Sequence, residues 1–338
     1  MKTNKIKEFI DEMKRRRLEA GTVDAYASHA RAFGRFCKGR SFETPGHAVA
    51  GFLSTFASEK LSASSQKQAL NALAGKNGFY ACFGVMLGRL PAWVRPPEST
   101  WVPEWLTAAE VEAVAVHLSE DWALIARLMF GAGLRIHEAV SLRWRDLDFE
   151  RMTITVKQSK GRKDRVTFLP RSLIPELQQR QTRIRAIWER DRKRKRPGVE
   201  VPPALANKSP KIGETFGMFW VFPAAGESID PETKIRRRHH LHKGSANRAV
   251  RVAATAAKLT KRPTAHAFRH GFATAYLMAG GLLPELRDLL GHECITTTER
   301  YLHCLPSFVD RVGSPLDHVA AVVPFRRDGE MRADSRAG

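Results

Sequence analysis

Residues 264–276 read TAHAFRHGFATAY. At roughly 100° per residue, His266, Arg269 and His270 share one helical face, at positions i, i+3 and i+4. Phe268, Phe272, Ala275 and Ala279 fall on the opposite face. The spacing predicts a helix with a buried apolar stripe and a cationic crest. A solvated face ordinarily mixes in Glu or Asp. This crest has neither, so it is suited to an anion.

The whole chain carries the same bias. Its 338 residues contain 56 Lys+Arg against 35 Asp+Glu, a formal net charge of +21. A polyanion is the natural partner for such a charge, and nucleic acid is the commonest one. An anionic membrane surface is the competing partner. No apolar run reaches the length of a membrane span, and MKTNKIKEFIDEMKRRR (1–17) lacks the apolar core of a signal sequence. The expectation is a soluble, cytoplasmic protein with no membrane partner. Cys37, Cys82, Cys294 and Cys304 are scattered without C-x-x-C spacing, which suits reduced thiols.

The length allows two domains with separate cores. Residues 1–90 predict a helical bundle. Thr22 is placed to cap a helix carrying Val23, Tyr26, Ala30, Phe33 and Cys37 inward. LPAWVRPPESTWVPEWL (90–106) holds four prolines, which block helix and stiffen extended chain, so 91–105 is the expected linker. A second domain, 106–323, opens at Thr107 and Glu110 with capping-box spacing. Two alternating runs, 153–157 and 165–169, flank SKGRKD and predict a hairpin with Gly161 at a basic turn. The segment 196–245 is rich in Gly and Pro, yet carries Phe216, Met218, Phe219, Trp220 and Phe222. IRRRHHLHKGSANRAVRVAATAAK (235–258) reads as a return to helix, and further helices are expected over 266–279, 284–290 and 297–303. Residues 324–338 form a polar tail. The fold class is thus mainly α with a small antiparallel β-sheet.

Four places could hold chemistry. Arg135 follows Gly133 at a helix start, where a guanidinium suits bidentate phosphate binding. Lys160 sits at the hairpin tip. The crest supplies His266 and Arg269. LLGHECITTTERYLH (289–303) contains His292 and, nine residues later, Tyr301. Each alone is unspecific. Together they match the needs of phosphoryl transfer: arginines for the equatorial oxygens, a lysine to protonate the leaving oxygen, histidines to share the nucleophile's proton, and a tyrosine hydroxyl to attack.

This ordered set resembles the tyrosine recombinase (phage integrase) family. The matching motifs are GLRIHE, SKGRKDR, HAFRH, LLGH and the tyrosine nine residues after that histidine, in order over 133–301. The resemblance implies catalytic roles for Arg135, Lys160, His266, Arg269, His292 and Tyr301, with Glu138 in support. It implies a two-domain C-shaped clamp: a helical core-binding (SAM-like) domain and an α+β catalytic domain closing on DNA. FWVFP, DPETKIRRRHHLH and RVGSPLD resemble the integron integrase branch, whose insert between hairpin and H-x-x-R box corresponds to about 196–245. That branch binds folded single-stranded hairpins of cassette sites, which assigns base contacts to Trp220, Pro231, His239 and His240. Met218 stands where the branch often has Trp. Four protomers on two sites are implied, with no metal, nucleotide or other cofactor. The resemblance leaves duplex-acting alternatives: a plasmid or phage integrase, or a dimer resolvase.

Two other classes are weighed against it. A non-catalytic DNA-binding protein forms no covalent adduct. A metal-dependent nuclease needs carboxylate clusters, which are missing, and His239, His240 and His242 without a partner Cys or carboxylate make a poor zinc set.

Overall fold

The computed structural model describes residues 3–97, 104–157, 164–230 and 233–302. The chain divides into two compact units between Val102 and Pro103.

The first unit is helical: α1 (Thr3–Arg15), α2 (Ala20–Phe36), α3 (Pro45–Ser58), α4 (Ala63–Ala74) and α5 (Phe79–Cys82). Side-chain oxygens of Thr44 and Ser62 cap α3 and α4 by accepting the N–H groups of His47 and Ser65. Helix α2 starts ahead of the expected Thr22 cap, but its periodicity holds. Val23, Ala30 and Phe33 are buried with Phe9, Met13, Leu53 and Leu73, while Tyr26 and Cys37 pack at the rim. The first part of the proline-rich stretch is tied to this bundle. Trp93 packs on its core, Gln66 Nε2 donates to the carbonyls of Leu53 and Val94, and the Val94 N–H donates to Ser54 Oγ.

The second unit runs α6 (Ala108–Ala115), α7 (Glu120–Ala132), α8 (Ile136–Val140), β1 (Leu147–Asp148), β2 (Thr153–Val156), β3 (Arg165–Phe168), α9 (Ile174–Lys193), α10 (Pro203–Lys208), β4 (Pro223–Ile229), β5 (Arg236–His240), α11 (Ala246–Ala256), α12 (Ala265–Met278), α13 (Leu283–Leu290) and α14 (Thr296–Glu299). Thr107 and Glu110 form the expected capping box. The hairpin is present as antiparallel β2–β3, with Ile154 opposite Thr167, and gains a third strand, β1. Within 235–258, β5 takes the first part, and α11 begins only at Ala246. β5 pairs antiparallel with β4, with an irregularity between Pro223 and Glu227.

The core of this unit joins Leu128, Met129, Val140, Trp144, Ile154 and Leu177 to Phe268. It also takes in Val199 and Met218–Phe222. The segment 196–245 is therefore built into the domain through its first half. Beyond Pro223, neither β4 nor β5 has a fully buried residue.

Helix α12 departs from the two-sided pattern read in its sequence. It packs against α7, α11 and α13, so more than one face is covered. Phe268 and Phe272 are buried as expected, but so are Ala265, Gly271, Thr274 and Leu277, and Ala275 and Ala279 are exposed. At Gly271 a Cβ would lie 2.4 Å from the Leu106 carbonyl oxygen, so only glycine permits this approach to the chain entering α6. Among the described residues, no helix is long and apolar enough to cross a membrane.

Candidate active site

The corner between α7 and α8 builds one side of the site. Gly133 ends α7 at φ +64°, and a Cβ there would lie 2.6 Å from the Phe272 ring, so the left-handed turn and the close contact both require glycine. The turn brings Arg135 to the N-cap of α8. One Glu138 oxygen accepts the Arg135 backbone N–H at 2.7 Å, and the other accepts its Nη1 at 2.9 Å. Arg165, at the start of β3, makes a two-pronged pair with the same carboxylate at 2.8 and 2.7 Å. Burial alone would raise the Glu138 pKa. The bonds and charge of Arg165, followed by Arg135, outweigh it and hold the carboxyl at about 2.

Helices α12 and α13 build the other side. Arg269 is 3% exposed, so the expected crest is in fact an interior guanidinium. Its Nη1 donates to the Gly133 carbonyl at 2.6 Å and its Nη2 to that of Leu290 at 2.7 Å. Arg165 Nε donates to Leu289 O at 2.8 Å, and Arg135 Nη2 to Gly291 O at 3.3 Å. All four acceptors are terminal carbonyls of α7 or α13, which lack intrahelical partners and sit at the negative ends of the helix dipoles. Arg269 Nη1 also lies 3.8 Å from Glu138. Burial, then Arg135, push the Arg269 pKa down to about 9, which leaves it charged at neutral pH. Three guanidiniums thus meet around one carboxylate, and the cluster carries excess positive charge.

Past Gly291, the chain folds back over this cluster. Arg269 Nη2 lies 3.2 Å from His292 Nε2, and His292 Nδ1 lies 2.9 Å from Thr298 Oγ1. A guanidinium can only donate, so Nε2 accepts and the imidazole proton sits on Nδ1, shared with buried Thr298. Burial, then Arg269 and Arg135, lower the His292 pKa to about 4. Tyr301 is buried among Phe272, Leu277, Leu286 and Leu290. Its hydroxyl lies 2.9 Å from His270 Nδ1, and a phenolate there would act on the charge of Arg269. His270 is held at about 4 by burial, then by Arg300, His266 and Arg269. His266 remains exposed. Its ring centroid is 6.4 Å from that of His270, and desolvation followed by Arg269 and Arg135 lowers its pKa.

Of the residues singled out in the sequence, Arg135, Glu138, Arg269, His292 and Tyr301 come together, with His266 at the edge. Lys160 lies outside the described residues, as does Pro231. The tyrosine hydroxyl meets His270, where the sequence suggested His266. His270 shares the helical face already noted, but its contact with Tyr301 is set by the turn after α13. Arg165 and Thr298 were also missed. Arg165 closes the SKGRKDR motif, whereas Thr298 gave no signal.

Trp220, His239 and His240 form a separate group beside β4 and β5. Trp220 is 3% exposed, with the Arg143 guanidinium 3.8 Å over its ring, its Nε1 donating to Arg238 O, and His240 edge-on at 5.0 Å. This indole has no open face for a nucleobase, because it is part of the core. His240 Nδ1 donates to the Leu241 carbonyl. His239 is half-buried, and its Nε2 has no hydrogen-bond partner among the described residues. No group of three His, Cys, Asp or Glu suited to a metal occurs among the described residues.

Comparison with known proteins gives the family of the chain. Residues 104–307 match the phage integrase family, and residues 6–75 match the phage integrase N-terminal SAM-like domain. The chain belongs to the phage integrase family. An integrase/recombinase of Escherichia coli is 41% identical to this chain over 298 residues, 88% of each chain. The tyrosine recombinase XerD of Mycobacterium leprae is 29% identical, covering 71% of this chain and 70% of its own. Among solved structures, XerH recombinase bound to palindromic difH substrate matches with a TM-score of 0.58 at 19% identity, covering 90% of this chain and 86% of that one. A lambda integrase dimer bound to a COC′ core site matches with a TM-score of 0.57 at 19% identity, covering 88% and 94%. At these identities the structural likeness is one of fold: a mainly helical protein with small antiparallel sheets.

Proposed function

We propose that this protein is a site-specific recombinase that breaks and rejoins DNA through a 3′-phosphotyrosine. We propose further that it integrates and excises integron gene cassettes at folded single-stranded sites. The convergence of Arg135, Arg269, His292 and Tyr301 on one positively charged site supports the strand transfer. Tyr301 Oη attacks the scissile phosphorus, while Arg135 and Arg269 hold the equatorial oxygens. Lys160 gives a proton to the leaving 5′ oxygen. The phosphate's negative charge raises the proton affinity of His292, whose Nε2–H then joins the clamp. His266 lines the open edge. The 5′-hydroxyl of a partner strand reverses the attack and exchanges the strands. Phosphotyrosine keeps the energy of the broken bond, so the cycle needs no ATP, and the guanidiniums supply the positive charge that a metal would otherwise provide. Four protomers act on two sites.

The choice of a folded hairpin substrate rests on the integron-like motifs and on the β4–β5 pair, which exposes Arg236, while Arg237 and Arg238 are held inward by Asp230 and Asp191. His239 and His240 are the base-contacting candidates there, and Trp220 supports them from the core.

The test is covalent trapping on a nicked suicide substrate, presented as a folded hairpin or as a duplex, with peptide mapping of the adduct. The expected result is attachment at Tyr301, and Tyr301→Phe that binds DNA normally but forms no adduct. Attachment elsewhere reassigns the nucleophile, and no attachment leaves a DNA-binding protein. Removal of residues 224–239 is expected to abolish hairpin binding and spare duplex binding. Hairpin binding that survives the removal would favour a duplex-acting integrase or resolvase.

A further inference from the structure

The tyrosine has a partner that the motif reading does not supply. His270 Nδ1 lies 2.9 Å from Tyr301 Oη, with ring centroids 5.6 Å apart. Two things hold the pair in place. His270 is fixed on α12 between Arg269, anchored to two helix ends, and Gly271, pressed on the Leu106 carbonyl. Tyr301 is fixed by its burial against α12 and α13 and by its backbone N–H donating to the Thr298 carbonyl.

We propose that His270 is a further catalytic residue, the base that takes the Tyr301 proton during attack. This rests on the tyrosine-nucleophile reading above. As the Oη–P bond forms, the phenolic proton moves to Nδ1. The P–O5′ bond breaks as the Lys160 ammonium protonates the leaving oxygen. In rejoining, the attacking 5′-hydroxyl returns a proton to the Lys160 amine, and imidazolium at His270 returns one to the departing phenolic oxygen. Protons and charge balance over the cycle without any co-reactant.

The surroundings suit a base that works only when loaded. The groups bearing on His270 are Arg269 and His266 from its own helix, and Arg300 beside the tyrosine. Their positive charge, with burial, keeps the imidazole neutral and its Nδ1 lone pair free to accept from the phenol. A phosphodiester entering between Arg135 and Arg269 adds negative charge, offsets those cations and raises the basicity of His270 at the moment of attack. His266 has no described contact with Tyr301 Oη, so one helical face divides its two imidazoles between tyrosine and solvent edge.

The experiment is single-turnover adduct formation on the suicide substrate, with wild type, His270→Gln, His266→Gln and Tyr301→Phe compared from pH 5.5 to 9.5. DNA affinity and melting temperature are measured alongside. His270→Gln is expected to lose about 10²–10⁴-fold near neutral pH. Its rate should then climb tenfold per pH unit toward the phenol's own ionisation, where wild type is flat. Replacing Tyr301 by a fluorinated tyrosine of lower pKa should recover more rate in His270→Gln than in wild type. Mixing Tyr301→Phe with His270→Gln protomers should give no gain. A wild-type profile in His270→Gln, a loss equal at every pH and unrescued, or the alkaline climb appearing in His266→Gln would overturn the proposal. So would recovery in the mixture, which would make the pair a contact between protomers. An adduct surviving in Tyr301→Phe would instead overturn the nucleophile reading itself.

Discussion

Two buried carboxylates in the catalytic unit gather arginines, and they do so with different balance. Asp191, on α9, bonds Arg196 at 2.6 Å and Arg238 at 2.6 and 3.0 Å. Arg196 also pairs with Glu227 at 2.8 Å, so two acids meet two bases, and the network ties β4 and β5 to α9. Glu138 meets Arg135, Arg165 and, at longer range, Arg269, with backbone carbonyls making up the remaining bonds. A balanced cluster is complete and serves as a fastener. An unbalanced one holds its arginines by dipoles, without neutralising them, and stays receptive to a visiting anion. The location of a buried ion pair says little about function; its charge sum says more.

The contrast can be broken or sharpened by mutation. Glu138→Gln strands the Arg165 guanidinium in the interior and is expected to cost about 3–5 kcal/mol in urea unfolding. Asp191→Asn should cost about 1–3 kcal/mol, since Arg238 keeps the Ala224 and Ala225 carbonyls. Equal losses would erase the distinction. Arg269→Lys cannot span two carbonyls and a phosphate, so adduct formation should fall about 10²–10³-fold, whereas Asp191→Asn should leave the adduct rate near wild type.

Acid should reach the Glu138 cluster next. Glu138 ionises at about 2 in the fold against 4.5 unfolded, so its contribution is present above pH 4.5 and is lost as pH falls toward 2. That loss is about 3 kcal/mol and should be missing in Glu138→Gln. His270 and His292 titrate near 4 in the fold against 6.5 unfolded. They therefore make stability fall earlier, between pH 6.5 and 4. A flat unfolding free energy from pH 6.5 to 4 would contradict their burial as neutral rings. The smallest effect is a thermal shift. Sulfate at about five times its Kd should add about 1 kcal/mol, or about 2–4 °C in Tm, to wild type and Asp191→Asn, and nothing to Arg269→Lys.

Much of the fold was legible because period and cap agreed. The α6 capping box, the inward stripe of α2, and α12 and α13 all fall where their sequences place them. β1 was not legible, since two residues carry no period. β5 was not either, since RRRHH lacks the apolar alternation by which strands are recognised. At the site, motif order pointed to Arg135, Arg269, His292 and Tyr301. The depth of Arg269 was hidden, because a helix enclosed by three neighbours buries residues that a two-faced pattern assigns to water. Trp220 misled for a related reason. An aromatic in a polar, proline-rich stretch looks available, but here its cluster completes the domain's own core. The choice between His266 and His270 depends on a turn folded back from 31 residues downstream of His270, which local spacing does not encode.

Arg269 joins the end of α7 to the end of α13 through the Gly133 and Leu290 carbonyls, as a rivet joins two beams. The group that would grip the DNA phosphate is therefore also a structural fastening, and the chain cannot discard one duty and keep the other. A copy released from selection for recombination would be free to lose its tyrosine hydroxyl at little structural cost, while the rivet would persist. The order of decay in silent copies would then read out which atoms served chemistry alone.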